Sequence, residues 1–288
     1  MASLKEIKVR IASIRSTQKI ASAMKMVSSA KLHHTQALAE HTQLYAGKLS
    51  AILNALLASA CEWDSPFVRQ RDVKRVAIVV FSSSSGLCGT FNVNVWKELS
   101  ACLIDYNNRN IAVSLYPIGK KIADELHKAG YATTDDFIHM GEKPSFEGAV
   151  SLATELMELY ASGKADQVEL LYHHFKSMAS QILVKKIFLP VSIQALEEEG
   201  ASGSVRADYI LEPSAEDVQT LLLPKLLNLT VYTTMLDTAT AEHAARMMAM
   251  QTANDNANDL IRRLTLQYNK TRQQAITNEL LDIAGGIG

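Results

Sequence analysis

The segment from Ser82 to Thr90, rich in serine and glycine, lies between a predicted strand and a predicted helix, where a protein can bind phosphate. Phosphate groups favour this position because backbone N–H groups point outward from a helix N-terminus. The segment lacks the Gly-Lys-Ser/Thr ending of a phosphate-binding loop, and it lacks the Gly-x-Gly-x-x-Gly spacing of a dinucleotide site. We therefore expect no nucleotide site and no cofactor here.

Cysteine and histidine residues give no better candidate for catalysis. Cys88 has no basic neighbour in its loop to activate the thiol, and the other cysteines, Cys61 and Cys102, are too irregularly spaced for a disulfide framework. His33-His34 and His173-His174 are adjacent pairs, and adjacent side chains share a face of neither a helix nor a strand. The sequence thus predicts no catalytic residue and no metal site.

Charge is balanced over the whole chain, with 29 Lys and Arg against 30 Asp and Glu, so no global field favours nucleic acid or a membrane. The first 50 residues are the exception, with eight basic and two acidic side chains. Such a helix can face an acidic protein partner, nucleic acid or solvent. No apolar run approaches the roughly 18 residues that a membrane-spanning helix needs.

Two long proline-poor stretches at the chain ends must position whatever site the chain has. Beyond Pro224 the sequence reaches Ala284 without proline or glycine, enough for a helix of roughly 90 Å. Apolar and small residues recur at intervals of three and four residues and form a narrow seam, which is the pattern of a coiled coil. Residues 3–58 carry a seam of the same kind. It comprises Leu4, Ile7, Ile11, Ile14, Ala21 and Met24.

A whole domain separates these two helices in the sequence. If both join that domain at its base, they must pair antiparallel. Equal rise per residue then places Met24 opposite Met247 and Leu4 near Gln267, within a turn or two. The C-terminal helix then continues alone beyond about Tyr268. Its end is apolar, and apolar surface without a partner in its own chain implies a partner elsewhere.

Between the helices, residues 73–193 alternate β-branched apolar runs with amphipathic helices. Predicted strands cover residues 75–81, 111–118, 131–138, 168–175 and 182–193, the third of them weak. Asn92 and Ser145 are predicted helix N-caps. The fold class is therefore α/β: a long antiparallel coiled coil of the terminal helices plus a small Rossmann-like α/β domain with a mostly parallel sheet.

Four regions follow from this organisation. They are an N-terminal coiled-coil helix over 1–58, an α/β foot domain over 73–193, a mobile loop over 194–212, and a C-terminal coiled-coil helix over 213–288. Ser214 and Asp217 have the spacing of a capping box at the start of the last helix, and Pro224 is expected to kink that helix near its base.

Motifs in both long helices and in the Ser/Gly loop resemble those of the γ subunit of F-type ATP synthase, of the bacterial type. The resemblance spans nearly the whole chain in the right order. The matching segments are Ile11–Ile20, Ala23–Val27, Gly86–Gly89 with Asn92 and Asn94, Ala244–Met247 with Ala249 and Met250, and Tyr268–Gln273 followed by Ile276–Leu280.

The resemblance implies a central-stalk rotor that performs no bond chemistry and couples ion-driven rotation of the c-ring to conformational change at the β catalytic sites. It implies partners in a ring of three α and three β subunits, in the ε subunit and in the c-ring. It also implies a peripheral place on the cytoplasmic side of the bacterial inner membrane, with the membrane reached only through the c-ring and no role in nucleic-acid binding.

The residues that the resemblance assigns to coupling or to contact with β lie on both helices. They are Met24, Lys25, Arg246, Arg272, Gln273, Thr277 and Glu279, while Leu280, Leu281 and Ile283 form the apolar tip. Two other readings remain open from the residues alone. One is a nucleotide-binding α/β enzyme with coiled-coil arms, and the other is a static coiled-coil scaffold that touches nucleic acid through its basic helix.

Overall fold

The structure is a computed structural model that describes residues 3–58, 65–192 and 215–285. The chain divides into two compact units, Met1–Ala30 with Arg246–Gly288 and Lys31–Ala245. The predicted loop over 194–212 and Ser214 of the predicted capping box lie outside the described residues. The predicted region limits stay predictions.

Two long helices dominate the described residues. The first, α1, extends over Leu4–Ala58, and the last, α5, extends over Ala215–Gly285 with Pro224 inside it. α1 contains no proline and α5 contains Pro224 alone, and most residues of both helices have good or moderate helix propensity. Two long terminal helices, as the sequence predicts, are thus present among the described residues.

Four strands form the sheet of the second unit: β1 (Arg75–Phe81), β2 (Ala112–Ile118), β3 (Gln167–Ser177) and β4 (Ser180–Leu189). Their order is β2-β1-β3-β4. β1 is parallel to both β2 and β3, whereas β4 is antiparallel to β3. The mostly parallel sheet with one antiparallel edge pair confirms the predicted fold class.

Helices cover both faces of this sheet, which explains why β1 is apolar at nearly every position. On one face, α2 (Phe91–Asn108) and α3 (Lys120–Lys128) bury a cluster that includes Leu99 and Leu126. On the other face, α4 (Phe146–Ala161) packs together with the base of α5, which contributes Leu223, Leu227, Val231 and Met235. The start of α5 is thus part of the core of the foot domain.

Three local predictions were wrong. Residues 131–138 form an isolated bridge from Thr133 to Leu115 and then a 3-10 helix, Ile138–Gly141, instead of a strand, since Asp135 accepts a hydrogen bond from the Thr133 hydroxyl at 2.6 Å and favours a turn. The last strand ends at Leu189 because Pro190 has no N–H for a sheet ladder.

The third concerns Asn92, which lies inside α2 and does not cap it. Its side chain bonds back to the loop instead, donating to Ser83 Oγ at 2.7 Å and accepting from the Ser83 backbone N–H at 3.1 Å. Ser145, by contrast, caps α4 as predicted, since its hydroxyl accepts from the Gly148 N–H at 3.2 Å.

Candidate interaction surfaces on the paired helices

A set of buried and half-buried side chains of α1 recurs at alternating intervals of three and four residues from Leu4 to Leu53. A strict seven-residue repeat of this kind, rather than 3.6-residue periodicity, characterises a left-handed coiled coil. Gln18, Lys25 and Ser28 are polar members of the seam. The seam comprises Leu4, Ile7, Ile11, Ile14, Gln18, Ala21, Lys25, Ser28, Leu32, Thr35, Ala39, Thr42, Ala46, Leu49 and Leu53, and further buried or half-buried side chains lie beside it.

In the first unit, α5 carries the matching repeat. Its members, all buried or half-buried, are Met250, Asn254, Ala257, Ile261, Leu264, Tyr268, Thr271 and Ala275. Gln18 on α1 donates a hydrogen bond from Nε2 to Asn258 Oδ1 at 2.5 Å, which fixes the register of the pair. A groove that brings Lys8 and Ile11 together with Tyr268 lies at the same register, so the helices are antiparallel here.

This register differs from the sequence estimate by about one helical turn. It places Ala21 level with Asn254 and Met24 level with the region of Gln251, whereas the estimate placed Met24 opposite Met247. The predicted pairing required both helices to begin level at the base of the domain. In the second unit, Leu49 and Leu53 pack with Leu226 and Leu229.

Met24 was predicted to lie on the seam, and this was wrong. Its side chain is 39% exposed, and the adjacent Lys25 occupies the seam position in a half-buried state. The reason is the strict repeat, which passes from Ala21 to Lys25 and leaves Met24 on the flank. An apolar side chain on that flank is available to a partner outside the chain.

A basic groove of about 480 Å³ lies along the first unit. Lys8, Arg15 and Lys19 present three cations on one face of α1, with Ile11, Ala12, Ser16 and Tyr268 completing the lining. All three cations are exposed, and none of the described residues forms an ion pair with them. This arrangement suits an acidic partner better than an apolar one.

The end of α5 is a helix without an opposing helix among the described residues. The register places Leu4, where α1 begins, level with Thr271, and α5 continues to Gly285. Leu280 and Leu281 are 61% and 64% exposed. Arg272, Gln273, Thr277 and Glu279 are also exposed, and the Thr277 hydroxyl donates to the Gln273 carbonyl oxygen at 2.9 Å.

The remaining predicted site residues are less informative. Arg246 is half-buried, and Ile283 belongs to α5, although its side chain is outside the described set. The structure thus brings Arg272, Gln273, Thr277, Glu279, Leu280 and Leu281 together on one helix end. Met24 and Lys25 lie elsewhere in the same unit. Their roles in coupling stay predictions.

The crevice where a doubly wound sheet binds ligands is filled by the chain itself. Ligands of such folds bind beyond the carboxyl ends of the strands. Here Phe81, Ser82 and Ile118 meet Met235, Thr238, Ala239 and Glu242 of α5 around a cavity of about 10 Å³, which is no larger than a water molecule needs. A nucleotide does not fit, because α5 occupies the crevice.

Titratable groups near the Ser/Gly loop are structural. His173 is buried and stacks on Phe91 with ring centroids 4.1 Å apart, and burial lowers its pKa to about 4, so that the imidazole is neutral. Cys88 is buried within 3.2 Å of Asn92 Nδ2. Across the described residues, no group of three metal-ligating side chains occurs, and no helix is long and apolar enough to cross a membrane.

Two polar links were not predicted from the sequence. One is the Gln18–Asn258 hydrogen bond, and the other is formed by Asp237, whose carboxylate accepts from the Phe175 backbone N–H and from His174. A signal for the second was available. Asp237 is the lone acidic residue between Asp217 and Glu242, in a stretch of apolar and threonine residues.

Comparison with known proteins agrees with this architecture. The profile of the family described as ATP synthase matches residues 3–288. An ATP synthase gamma chain of Parabacteroides distasonis is 69% identical over 286 residues, which cover 99% of this chain and 98% of that protein. An ATP synthase gamma chain of Cytophaga hutchinsonii is 41% identical over 290 residues, covering 99% of this chain and 98% of that protein.

Solved structures resemble the chain in fold at low sequence identity. The rotor of the Euglena gracilis mitochondrial ATP synthase superposes with a TM-score of 0.62 at 21% identity, covering 95% of this chain and 98% of that one. The central stalk and c-ring structure of the Tetrahymena thermophila mitochondrial ATP synthase contains a chain with a TM-score of 0.59 at 23% identity, covering 81% of this chain and 99% of that one.

In fold, the chain is an α/β protein with two long helices, similar to the chains in those rotor and central-stalk structures. The coverage and identity of the curated relatives take the assignment further. The chain belongs to the ATP synthase γ-chain family.

Proposed function

We propose that this chain is the rotating central stalk of a bacterial ATP synthase and couples ion-driven rotation of a c-ring to conformational change at the β catalytic sites. In this assignment, the three α and three β subunits surround the paired helices, and the foot domain meets the ε subunit and the c-ring. The paired helices transmit the motion to the surrounding subunits, and the foot domain connects the helices to the c-ring.

The observation that carries the proposal is the unpaired end of α5. A helix that ends with exposed Leu280 and Leu281 leaves apolar surface in water unless a partner covers it. A collar of surrounding subunits covers all sides of such an end. A tip of aliphatic side chains also makes few directional hydrogen bonds, so that it can turn inside the collar.

The strict seven-residue repeat supports the same role. Two helices packed through a continuous seam resist bending and twisting better than one helix does. The seam contains the small residues Ala21, Ser28 and Ala257, which allow close approach of the backbones. The pair of helices is also asymmetric, since α5 extends beyond the start of α1. An asymmetric stalk can place three β sites in different conformational states.

Charge on α1 fits contact with the catalytic ring. The basic groove formed by Lys8, Arg15 and Lys19 suits acidic loops of β subunits. Lys25, half-buried on the seam, lies in the same unit. We propose Met24, Lys25, Arg246, Arg272, Gln273, Thr277 and Glu279 as the residues through which the stalk contacts β or affects coupling.

We propose that the chain has no active site of its own, and that the chemistry of ATP belongs to its partners. The crevice filled by α5 supports this, and it argues against the alternative of a nucleotide-binding enzyme. A peripheral place on the cytoplasmic side of the bacterial inner membrane follows from attachment through the c-ring, and the bacterial relatives support it.

Co-assembly tests the proposal. The chain is expressed with the α and β subunits of the same organism, and the purified complex is assayed for composition and for ATP hydrolysis. We expect one copy of the chain in each ring of six subunits and an ATPase that depends on it. Saturable binding of ATP to the isolated chain at micromolar concentration, without co-assembly, would favour the enzyme alternative.

A further inference from the structure

Strand β3 extends beyond the sheet that contains it. Its parallel pairing with β1 ends at Leu171, whereas its antiparallel pairing with β4 continues to Ser177. The residues from Tyr172 onward therefore form a two-stranded extension whose other edge is not paired with β1. A hairpin of two strands is marginally stable on its own, so this edge needs another partner.

Asp237 on α5 supplies that partner. Its Oδ1 accepts a hydrogen bond from the Phe175 backbone N–H at 2.8 Å, and its Oδ2 lies 2.7 Å from His174 Nδ1. Because an ionised carboxylate only accepts, Nδ1 carries the proton in this contact. Two directional bonds, one of them to the main chain, thus join one side chain of α5 to the end of β3.

Apolar packing continues the attachment one and two turns further along α5. Ala241 is buried with Cys88 and Phe91, and Phe175 and Ala245 pack against that cluster. Such packing holds the helix against the domain, but it is not directional. The same holds for Leu223, Leu227, Val231 and Met235, which anchor the start of α5 in the core. A carboxylate bonded at a fixed position adds a directional constraint on rotation of the helix about its own axis.

From this geometry, we infer that Asp237 is the positioning residue that fixes the rotational setting of α5 on the foot domain and carries torque between them. The inference rests on the proposed rotor function. It assigns to this carboxylate a directional part of the link between the domain that a c-ring would turn and the helix that would act on the catalytic ring.

Asp237→Ala in the assembled complex with its membrane sector tests the inference, and Asp135→Ala is the matched control. Asp135 makes an exposed contact of the same kind with His127, at 3.1 Å, but joins α3 to its own following loop. Three quantities are measured: ATP hydrolysis by the complex, ATP-driven ion pumping, and the melting temperature of the isolated chain.

For Asp237→Ala we expect a fall of roughly threefold or more in ions pumped per ATP, since hydrogen bonds to a charged group are among the stronger ones. Hydrolysis should stay near that of the unmodified complex, and the melting temperature of the isolated chain should fall only slightly, because the His174–Asp237 contact is partly exposed. Asp135→Ala should change none of the three. Asp237→Asn keeps a carbonyl oxygen that can accept from Phe175 and should recover part of the pumping.

His174→Ala separates the two bonds, because it removes the imidazole and leaves the Phe175 N–H in place. An intermediate loss of pumping is expected. Unchanged pumping per ATP in Asp237→Ala overturns the inference. Equal losses of hydrolysis and pumping, together with a lower melting temperature, overturn it too, because they mark a purely structural residue. An unmodified complex that hydrolyses ATP without pumping would instead contradict the proposed function itself.

Discussion

Gln18 on α1 donates a hydrogen bond from its side-chain nitrogen to the side-chain oxygen of Asn258 on α5 at 2.5 Å. This contact spans 240 residues of sequence and sets which turn of one helix lies against which turn of the other. A polar pair at the edge of an apolar seam often specifies register, since a slip leaves the polar groups without their partners. The seam itself repeats every seven residues and would tolerate a slip by one repeat.

The register can be tested by cross-linking. Ala21→Cys combined with Asn254→Cys places two thiols in one layer of the seam, and oxidation should join them, because a disulfide requires Cα atoms within about 7 Å. Ala21→Cys with Met247→Cys, one repeat away, is the control and should stay reduced. The measurement is the shift of the oxidised band on a non-reducing gel, and preferential closure of the control pair would show a different register.

Loss of the apolar tip should weaken assembly without unfolding the chain. Replacing both Leu280 and Leu281 by serine removes side chains whose burial in a collar would contribute about 1.5–3 kcal/mol each. We expect a higher dissociation constant for the ring of α and β subunits and an unchanged melting temperature of the isolated chain. Ile104→Ser, an exposed position on α2, is the control. Full affinity in the double variant would show that no collar covers the tip.

Acid should destabilise the foot domain through Asp166. Burial alone would raise the pKa of this carboxyl, but hydrogen bonds from the backbone N–H groups of Lys74 and Arg75 and from the Arg75 guanidinium lower it below its ordinary value. A lowered folded-state pKa stabilises the fold above the unfolded-state pKa, and this contribution is lost as pH falls through the folded-state value.

Asp166→Asn should therefore cost about 2 kcal/mol at neutral pH and much less in acid. Urea unfolding of the isolated chain at neutral and acidic pH measures the difference. Asp105→Asn is the control, because Asp105 lies on α2 and both it and its partner, Arg109, are exposed. A loss that is the same at both pH values would mean that the charge of Asp166 contributes nothing.

Met24→Lys should lower ATP synthesis per ion moved more than it lowers hydrolysis. The added ammonium would join Lys19 and Lys25 and change the contacts of this flank with acidic loops of β during rotation. Met26→Lys, on a different face of α1 and also exposed, is the matched control. Synthesis and hydrolysis are measured in vesicles that contain the whole complex. Equal losses in both activities would show that Met24 has no specific role in coupling.

The foot domain was predictable from the sequence because its strands and helices are distinguished by local pattern. The continuous apolar run of residues 75–81 was sufficient to predict strand β1, and Ser145 was sufficient to predict the start of helix α4. The strand predicted over residues 131–138 does not form, because the Thr133–Asp135 hydrogen bond favours a turn. Strand propensity alone does not show whether such a bond forms.

The interaction surfaces were predictable in kind and less so in position. The apolar end of α5 could be identified, since the C-terminal helix is longer than the N-terminal helix with which it pairs and must extend beyond it. Placing Met24 required knowing where the two helices begin relative to each other, and this depends on packing at Leu49 and Leu226 that the sequence does not encode locally. Asp237 was missed because its partners lie 62 and 63 residues away.

Rotation of the assembled complex tests the central claim most directly. A visible probe is attached to the exposed face of the foot domain, the ring of α and β subunits is fixed to a surface, and ATP is added. The account predicts rotation of the probe in one direction, at a rate that follows ATP hydrolysis. A complex that contains the chain and hydrolyses ATP while the probe stays still would contradict it.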